Sequence, residues 1–368
     1  MSRNLIEMQD PAFSFFAQAW KKLRRNGPAM AGLIIIVMTI LVAVSAYWII
    51  PDPSPYANRM MVEIAGKKPG FRMRFLAIDK EPAPETTSFL ERSINGQTER
   101  QVFIPITHSE FRTDSIVVDQ YMDEGIADRH TYAAAPGSYH LTERVFRLGT
   151  DKYGRDILSR LLIGTRISLS VGGIAVIISL LIGISLGSAA GYFGGRTDKI
   201  IMWFINVVWS IPTLLLVFAI TLVLGKGFWQ VFIAVGLTLW VNVARLIRGQ
   251  VMSIREFEYI EAARALGYSD FRIISRHILP NIMGPVLVLA SSNFATAIVL
   301  EAGLSFLGVG VQSPQPSWGL MIKENYNFII THNPLLAIIP GLAIMILVLA
   351  FNLLGNGLRD ALDVRGST

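Results

Sequence analysis

Six stretches of this chain are long and apolar enough to cross a membrane, and nothing else constrains its fold as strongly. A crossing helix needs about 20 mostly apolar residues. The first run, residues 30–50, reads MAGLIIIVMTILVAVSAYWII and carries no charge. Five more follow at roughly 167–192, 200–224, 228–246, 282–304 and 334–354. Lipid offers no partner to backbone polar groups, so such runs must satisfy them internally as helices. The expected class is an all-α polytopic membrane protein with six transmembrane helices. Composition agrees: 52% of residues are hydrophobic and only 16% charged, against about a quarter charged in soluble domains.

Lys21, Lys22, Arg24 and Arg25 precede the first run, as a basic start precedes a secretory signal. The run is too long for a signal, starts too far in, and ends in AYWIIPDP rather than at a small-residue cleavage site. An uncleaved anchor is therefore expected. Six crossings put both termini on one side. With that side cytoplasmic, segments 1–29, 193–199, 245–281 and 355–368 hold 15 Lys/Arg against 9 Asp/Glu. The opposite segment, 51–166, holds 16 of each. The net charge of +6 then lies on the side that the positive-inside rule requires. This removes nucleic acid as a partner: the basic residues set topology in the lipid bilayer. Arg160 and Arg166, near the outer end of the second run, are an exception covered only by the rule's discount for long segments.

Residues 51–147 are polar and broken by Pro51, Pro53, Pro55, Pro69, Pro82, Pro84, Pro105 and Pro136. RQVFIPI and SIVVDQYM alternate like short strands, so a small external β-containing insertion is expected. Cysteine is absent, which excludes disulfides, a thiol nucleophile and cysteine metal sites. His108, His130, His140, His277 and His332 form no metal-ligand motif, and no metal site is expected. Asp151, Arg155 and Asp156 in GTDKYGRD crowd into six residues. They are read as bracing or capping the helix into the second span, and no catalytic residue is assigned. The chain contains no GxxxxGK[ST] phosphate loop.

One polar interruption stands out between the fourth and fifth runs: EFEYIEAARALGYSDFRIISRHILPN, residues 256–281. Its charges forbid membrane depth, yet it carries helix signals. Ala262, Ala263 and Ala265 are strong helix formers. Gly267 suits a left-handed helix end. Ser269 suits a cap and Asp270 a first turn. Phe271, Ile274 and Ile278 repeat on one face, and Pro280 suits the start of another helix. The pattern predicts helix, tight turn, helix, then span. Small Ala262, Ala263 and Gly267 would admit a close partner; a solvated hairpin linking two spans is the plainer alternative.

EAARALG followed after nine residues by HILP resembles the EAA loop of ABC importer permeases. Glu261, Ala262, Ala263, Gly267, Leu279 and Pro280 match, while His277 takes an isoleucine position. KKLRRNGPAMAGLIII, LGTDKYGRDILSRLLIGTRISLSVG, VVWSIPTLLL and EAGLSFLGVGVQSPQPSWGLMI are similar to the dipeptide/oligopeptide/nickel branch, and the length before the first span with the single large outer segment after it resembles the branch's C-type subunit. The resemblance covers residues 20–50 and 148–365. It implies the type I ABC importer permease fold in a bacterial inner membrane, with segments 1–29 (cytoplasmic), 30–50 (first span), 51–147 (insertion) and 148–368 (core permease domain, EAA loop at 256–280). It also implies that the chain is no enzyme and binds no cofactor, with ATP and Mg on partner subunits. Implied partners are a second (B-type) permease, two ATP-binding subunits, an external substrate-binding lipoprotein or periplasmic receptor, and a peptide. Nickel or another small solute is the alternative cargo, and a membrane sensor or channel is a remote alternative.

Coupling to the ATPase would rest on Glu261, Ala262, Ala263, Gly267, Ser269, Asp270, Leu279 and Pro280. For the translocation path, Pro212 in Ser210-Ile211-Pro212 should kink the third span, as a gate or as static packing. Asn206, Ser210, Asn242 and Asn293, with Thr213, Ser291, Ser292 and Thr296, are polar within spans; each could line the path or bond a neighbouring helix. Glu301 should face a cavity or pair with a base. VQSPQPSWG suits a re-entrant or interfacial segment with Trp318 as its aromatic anchor.

Overall fold

The computed structural model describes residues 11–80, 87–112, 115–133, 139–330 and 333–362. Pro82, Pro84, Pro136 and His332, with the ends of both terminal segments, lie outside these residues. Five described helices are long and apolar enough to cross a membrane: α2 (Gly27–Ile49), α4 (Ile157–Phe193), α7 (Phe228–Ile254), the continuous stretch Asp270–Leu307, and α12 (Leu335–Leu362). A sixth crossing results if α5 (Gly195–Trp209) and α6 (Thr213–Leu224) count as one, although they meet at 91°. The short α1 (Pro11–Arg25) precedes α2, and α3 (Phe89–Asn95) and α11 (Trp318–Asn325) lie in connections.

Two compact units can be distinguished. One holds Met1–Met38, Ser170–Glu301 and Met345–Thr368, and the other holds Thr39–Leu169 and Ala302–Ile344.

In the first unit, α4 and α7 pack backbone to backbone. Gly183, Gly187 and Gly191 recur every four residues and so share one face of α4. A Cβ on Gly183 would lie 2.4 Å from the Val243 Cβ, on Gly187 2.5 Å from the Ala244 carbonyl oxygen, and on Gly191 2.7 Å from that of Arg248. Membrane helices gain little from hydrophobic expulsion and associate through such close approach. At the end of this seam Arg255 donates to the Gly191 and Tyr192 carbonyls at 3.0 and 3.3 Å, which belong to the last turn of α4, where carbonyls lack helical partners.

The second unit contains a five-stranded antiparallel sheet of order β4-β3-β2-β1-β5, built from β1 (Phe71–Asp79), β2 (Gln101–Arg112), β3 (Ser115–Asp123), β4 (Ile126–Ala133) and β5 (Tyr139–Phe146). RQVFIPI supplies the first half of β2, and SIVVDQYM nearly all of β3. Phe75 and Leu76 are both fully buried. Successive strand side chains point to opposite faces, so β1 has a core on each side. Phe75 joins Met61, Ile64, Met73, Tyr121 and Phe146, whereas Leu76 joins Ile104, Ile106, Ile116 and Val118.

The start of α4 is locked by charge. Arg155 and Arg160 are fully buried. Arg155 contacts Asp151 at 2.6 Å and Glu324 at 2.6 Å; Arg160 reaches the same carboxylates at 3.7 and 3.2 Å. Asp156 caps α4 by accepting from the Ser159 amide at 2.9 Å and from its hydroxyl. Arg166 donates to the Ser93 and Ile94 carbonyls at 3.0 and 3.3 Å. The two arginines that run against the charge rule, Arg160 and Arg166, are thus both held by internal partners.

The structure corrects several expectations. The third span is broken rather than kinked, because Pro212 cannot donate and its ψ of 127° turns the chain out of the helix. Pro280 starts no new helix: α9 (Asp270–Ile273) runs through the π-helical turn Ile274–Ile278 into α10 (Leu279–Leu307). The wider turn, with the Leu279 amide bonded back to Ile274, relieves the clash that proline makes with the preceding turn. Trp318 is buried, not interfacial. It lies against Gly164 and donates to the Leu161 carbonyl at 3.0 Å. The hydroxyls of Ser291 and Thr296 bond carbonyls four residues back in their own helix rather than a neighbour.

Candidate functional site

The charged interruption folds as a hairpin on the end of α7. Helix α8 (Glu258–Ala265) ends in a left-handed turn. Gly267 has φ +78°, its amide bonds the Arg264 carbonyl at 3.0 Å, and the Tyr268 amide bonds Ala263 at 3.2 Å. These two bonds are the Schellman pattern that needs a residue without a Cβ penalty. Ser269 occupies the position before α9, but its hydroxyl makes no cap hydrogen bond; its carbonyl accepts from Ile273. Asp270 accepts from the Tyr192 hydroxyl at 2.7 Å.

The inner face of this hairpin is part of the first unit's core. Ile260, Ala263, Ile273 and Ile278 pack with Val243, Ile247, Val251 and Ile254 of α7, and with Ile282 and Val286 of α10. Ala263 is therefore not available at the surface: at 4% exposure it is part of the core. Leu279 is half-buried against the same cluster, and Pro280 beside it is exposed. Phe271 leaves the expected apolar stripe and is 81% exposed, and Ile273 takes the buried place. The outer face presents Glu261, Ala262, Gly267, Leu266, Phe271 and Arg272, all exposed. His277 stacks on Tyr268 with ring centroids 5.9 Å apart, and no cluster of metal-ligating side chains occurs among the described residues.

The break between α5 and α6 forms the second feature. Ser210 donates to the Val207 carbonyl at 2.8 Å, competing for a helix acceptor just before Pro212. A cavity of about 150 Å³ at the break is lined by Trp209, Pro212, Thr213, Thr238 and Asn242, among others. Asn206 accepts from Arg245 at 3.3 Å, and the Arg245 guanidinium lies over Trp209 at 4.3 Å. Asn293 and Glu301 are buried in the chain, at 4% and 1% exposure, and neither lines this cavity. The structure therefore groups Asn206, Ser210, Pro212 and Asn242 about one break and leaves Asn293 and Glu301 outside it.

Three contributors lie outside the residues to which the sequence points. Arg245 lies at the charged end of the fourth apolar run and is counted by charge with the polar segment 245–281, yet α7 continues to Ile254. Tyr192, which anchors Asp270, carries no local signal. The Gly183–Gly187–Gly191 repeat does carry one, the small-residue spacing of a helix packing face.

Residues 183–366 match the family described as binding-protein-dependent transport system inner membrane component. Residues 14–63 match the N-terminal TM domain of oligopeptide transport permease C. The chain is 45% identical over 216 residues to the glutathione transport system permease protein GsiD of Pectobacterium atrosepticum, covering 59% of this chain and 71% of that one. It is 43% identical over 215 residues to the oligopeptide transport system permease protein OppC of Bacillus subtilis, covering 58% and 70%. Against the dipeptide transport system permease protein DppC of Lactococcus lactis it is 30% identical over 360 residues, covering 97% of this chain and 92% of the relative.

Proposed function

The chain belongs to the family of binding-protein-dependent transport system inner membrane components, and on that premise we propose that it forms half of the translocation path of an ATP-driven importer of di- or oligopeptides. The observation that carries the cargo is the near full-length likeness to a dipeptide permease, supported by the oligopeptide permease match at the first span. As a permease subunit the chain is not itself the ATPase, so energy enters from another chain through a rigid contact.

In this reading the hairpin of α8 and α9 is that contact. Its inner face is welded to α7 and α10, so a push on Ala262, Leu266, Gly267 or Phe271 reaches two spans without an intervening hinge. Nucleotide binding would favour one docked geometry and the spans would follow by population shift. The break at Ser210-Ile211-Pro212, with Asn206 and Asn242 beside it, would border the path. Counting α5 and α6 as one bent span gives six crossings with both termini cytoplasmic and residues 51–147 as an external insertion. The partners are a second permease chain, two ATP-binding subunits and an external receptor.

The test is uptake of labelled di- and oligopeptides by proteoliposomes holding the full complex, with ATP inside. Vanadate-sensitive peptide uptake is expected. Phe271→Asp, at a side chain that faces out of the core, should keep the thermal stability of the chain while losing ATPase-coupled uptake. Uptake that persists under vanadate would overturn the importer reading, and normal coupling in the variant would overturn the role of the hairpin.

A further inference from the structure

The insertion carries one helix that is apolar where it should be wet. In α3, Leu90 and Ile94 are 69% and 62% exposed, four residues apart on one face. Glu91 and Asn95, also four apart, are exposed on the adjoining flank, about 100° around the helix. A seven-residue helix whose apolar stripe the described residues leave largely uncovered is costly in water, at about 25 cal/mol per Å² of apolar surface.

Its position is fixed against the end of the first span. Phe89 lies on Trp48 with centroids 4.9 Å apart. The Trp48 indole donates to the Ser93 hydroxyl at 3.1 Å, and the Arg92 guanidinium stands 4.2 Å from the centre of the Trp48 ring. Arg166 holds the last carbonyls of α3. Gly96 closes the helix so tightly that a Cβ there would lie 2.7 Å from the Tyr47 ring. Trp48 is one residue from the end of α2 at Ile49. A 23-residue helix spans about 34 Å, just over the hydrocarbon thickness. Trp48 thus sits at the membrane–water boundary, where tryptophan is enriched. Val44, Trp48 and Ile49 are exposed at this end of α2, and α3 packs on Trp48 among them.

We propose that α3 is an interfacial membrane anchor, lying in the leaflet where the first span ends, with Leu90 and Ile94 in the acyl boundary and Glu91 and Asn95 in the headgroups. The occupant of the apolar face is lipid, because α3 is seated on Trp48 at the exposed end of the span and the flank bearing Glu91 and Asn95 is polar, as in helices that lie in the bilayer plane. The insertion is thereby held against the bilayer at a second point besides its chain ends. The inference uses the membrane assignment of α2 and not the identity of the cargo.

The chain has no cysteine, so single labels are clean. Leu90→Cys, Glu91→Cys, Ile94→Cys and Phe111→Cys would each carry an environment-sensitive fluorophore, with the assembled transporter in nanodiscs of phosphatidylcholine brominated high or low on the acyl chain. Quenching at positions 90 and 94 should be about two-fold or more above that at 91, strongest with the shallow bromines, as for a helix lying about 5–10 Å deep. Phe111, exposed on β2, should not be quenched. Equal quenching at 90, 91 and 94 would overturn the proposal. So would labels at 90 and 94 shielded from both brominated lipid and aqueous iodide, which would assign the face to another protein chain.

Discussion

Glu324 is the residue on which the start of α4 depends most. Its carboxylate is the shared acceptor for Arg155 and Arg160, whose side chains are fully buried. Removing one member of a buried charge group leaves the others uncompensated and costs about 3–5 kcal/mol. Glu324→Ala should therefore lower the midpoint of thermal unfolding of the detergent-solubilised chain far more than a surface change such as Glu91→Ala; equal midpoints would refute the network's role. Asp156 beside it gives a pH signature. Burial pushes its carboxyl above the usual range, against the opposing Ser159 hydrogen bonds. A carboxyl raised in the folded state contributes stability that is full below its unfolded pKa and is lost as pH rises through the folded value. The stability of Asp156→Asn relative to the parent should accordingly improve as pH rises through the window that opens at the unfolded carboxyl's value of about 4, as followed by melting temperature. A difference that is flat across this window would contradict the shift. The crowding of Asp151, Arg155 and Asp156 in the sequence is enough to mark a brace or cap, but the fourth partner, Glu324, lies 169 residues from Arg155 and no spacing could point to it.

At the scale of elements, the seam between α4 and α7 rests on three glycines rather than on large side chains. Gly187→Leu would drive atoms into the Ala244 backbone and Ile247, an overpacking that costs about 1–3 kcal/mol even where neighbours can move. Gly249→Ala, where a Cβ meets nothing within 4 Å, should be neutral or stabilising by up to about 1 kcal/mol. Melting both variants checks the pair, and equal effects would sink the seam. Apolar length located five long apolar helices to within a few residues of their cores, but not the helix ends: α4 begins at Ile157 and α7 ends at Ile254, beyond the apolar runs, because polar residues at helix ends find partners that a hydropathy window does not see. The hairpin's turn at Gly267 was legible because glycine is the residue that a left-handed helix end requires. The fusion of α9 with α10 was not, since a proline that normally begins a helix was absorbed by a π turn.

For the whole molecule, the charge distribution implies an orientation that single-cysteine labelling can check. A cysteine at Leu266, on the exposed hairpin, should react with a membrane-impermeant maleimide only after the membrane is opened. One at Phe111 on the sheet should react from outside in intact cells, and reversed reactivity would overturn the topology. The sequence by itself determined that this chain lives in a membrane, roughly where it crosses, which family it joins and which short polar segment folds between two apolar runs. Those properties follow from local quantities: apolar length, charge count and the residue types that turns demand. Tertiary structure alone decided that Ala263 belongs to the core while Phe271 faces out, that Asn206 and Asn242 gather at a broken helix while Asn293 and Glu301 do not, and that Trp48 holds α3. Each of these depends on which face of one element meets another far along the chain, and burial is a property of that meeting rather than of either segment.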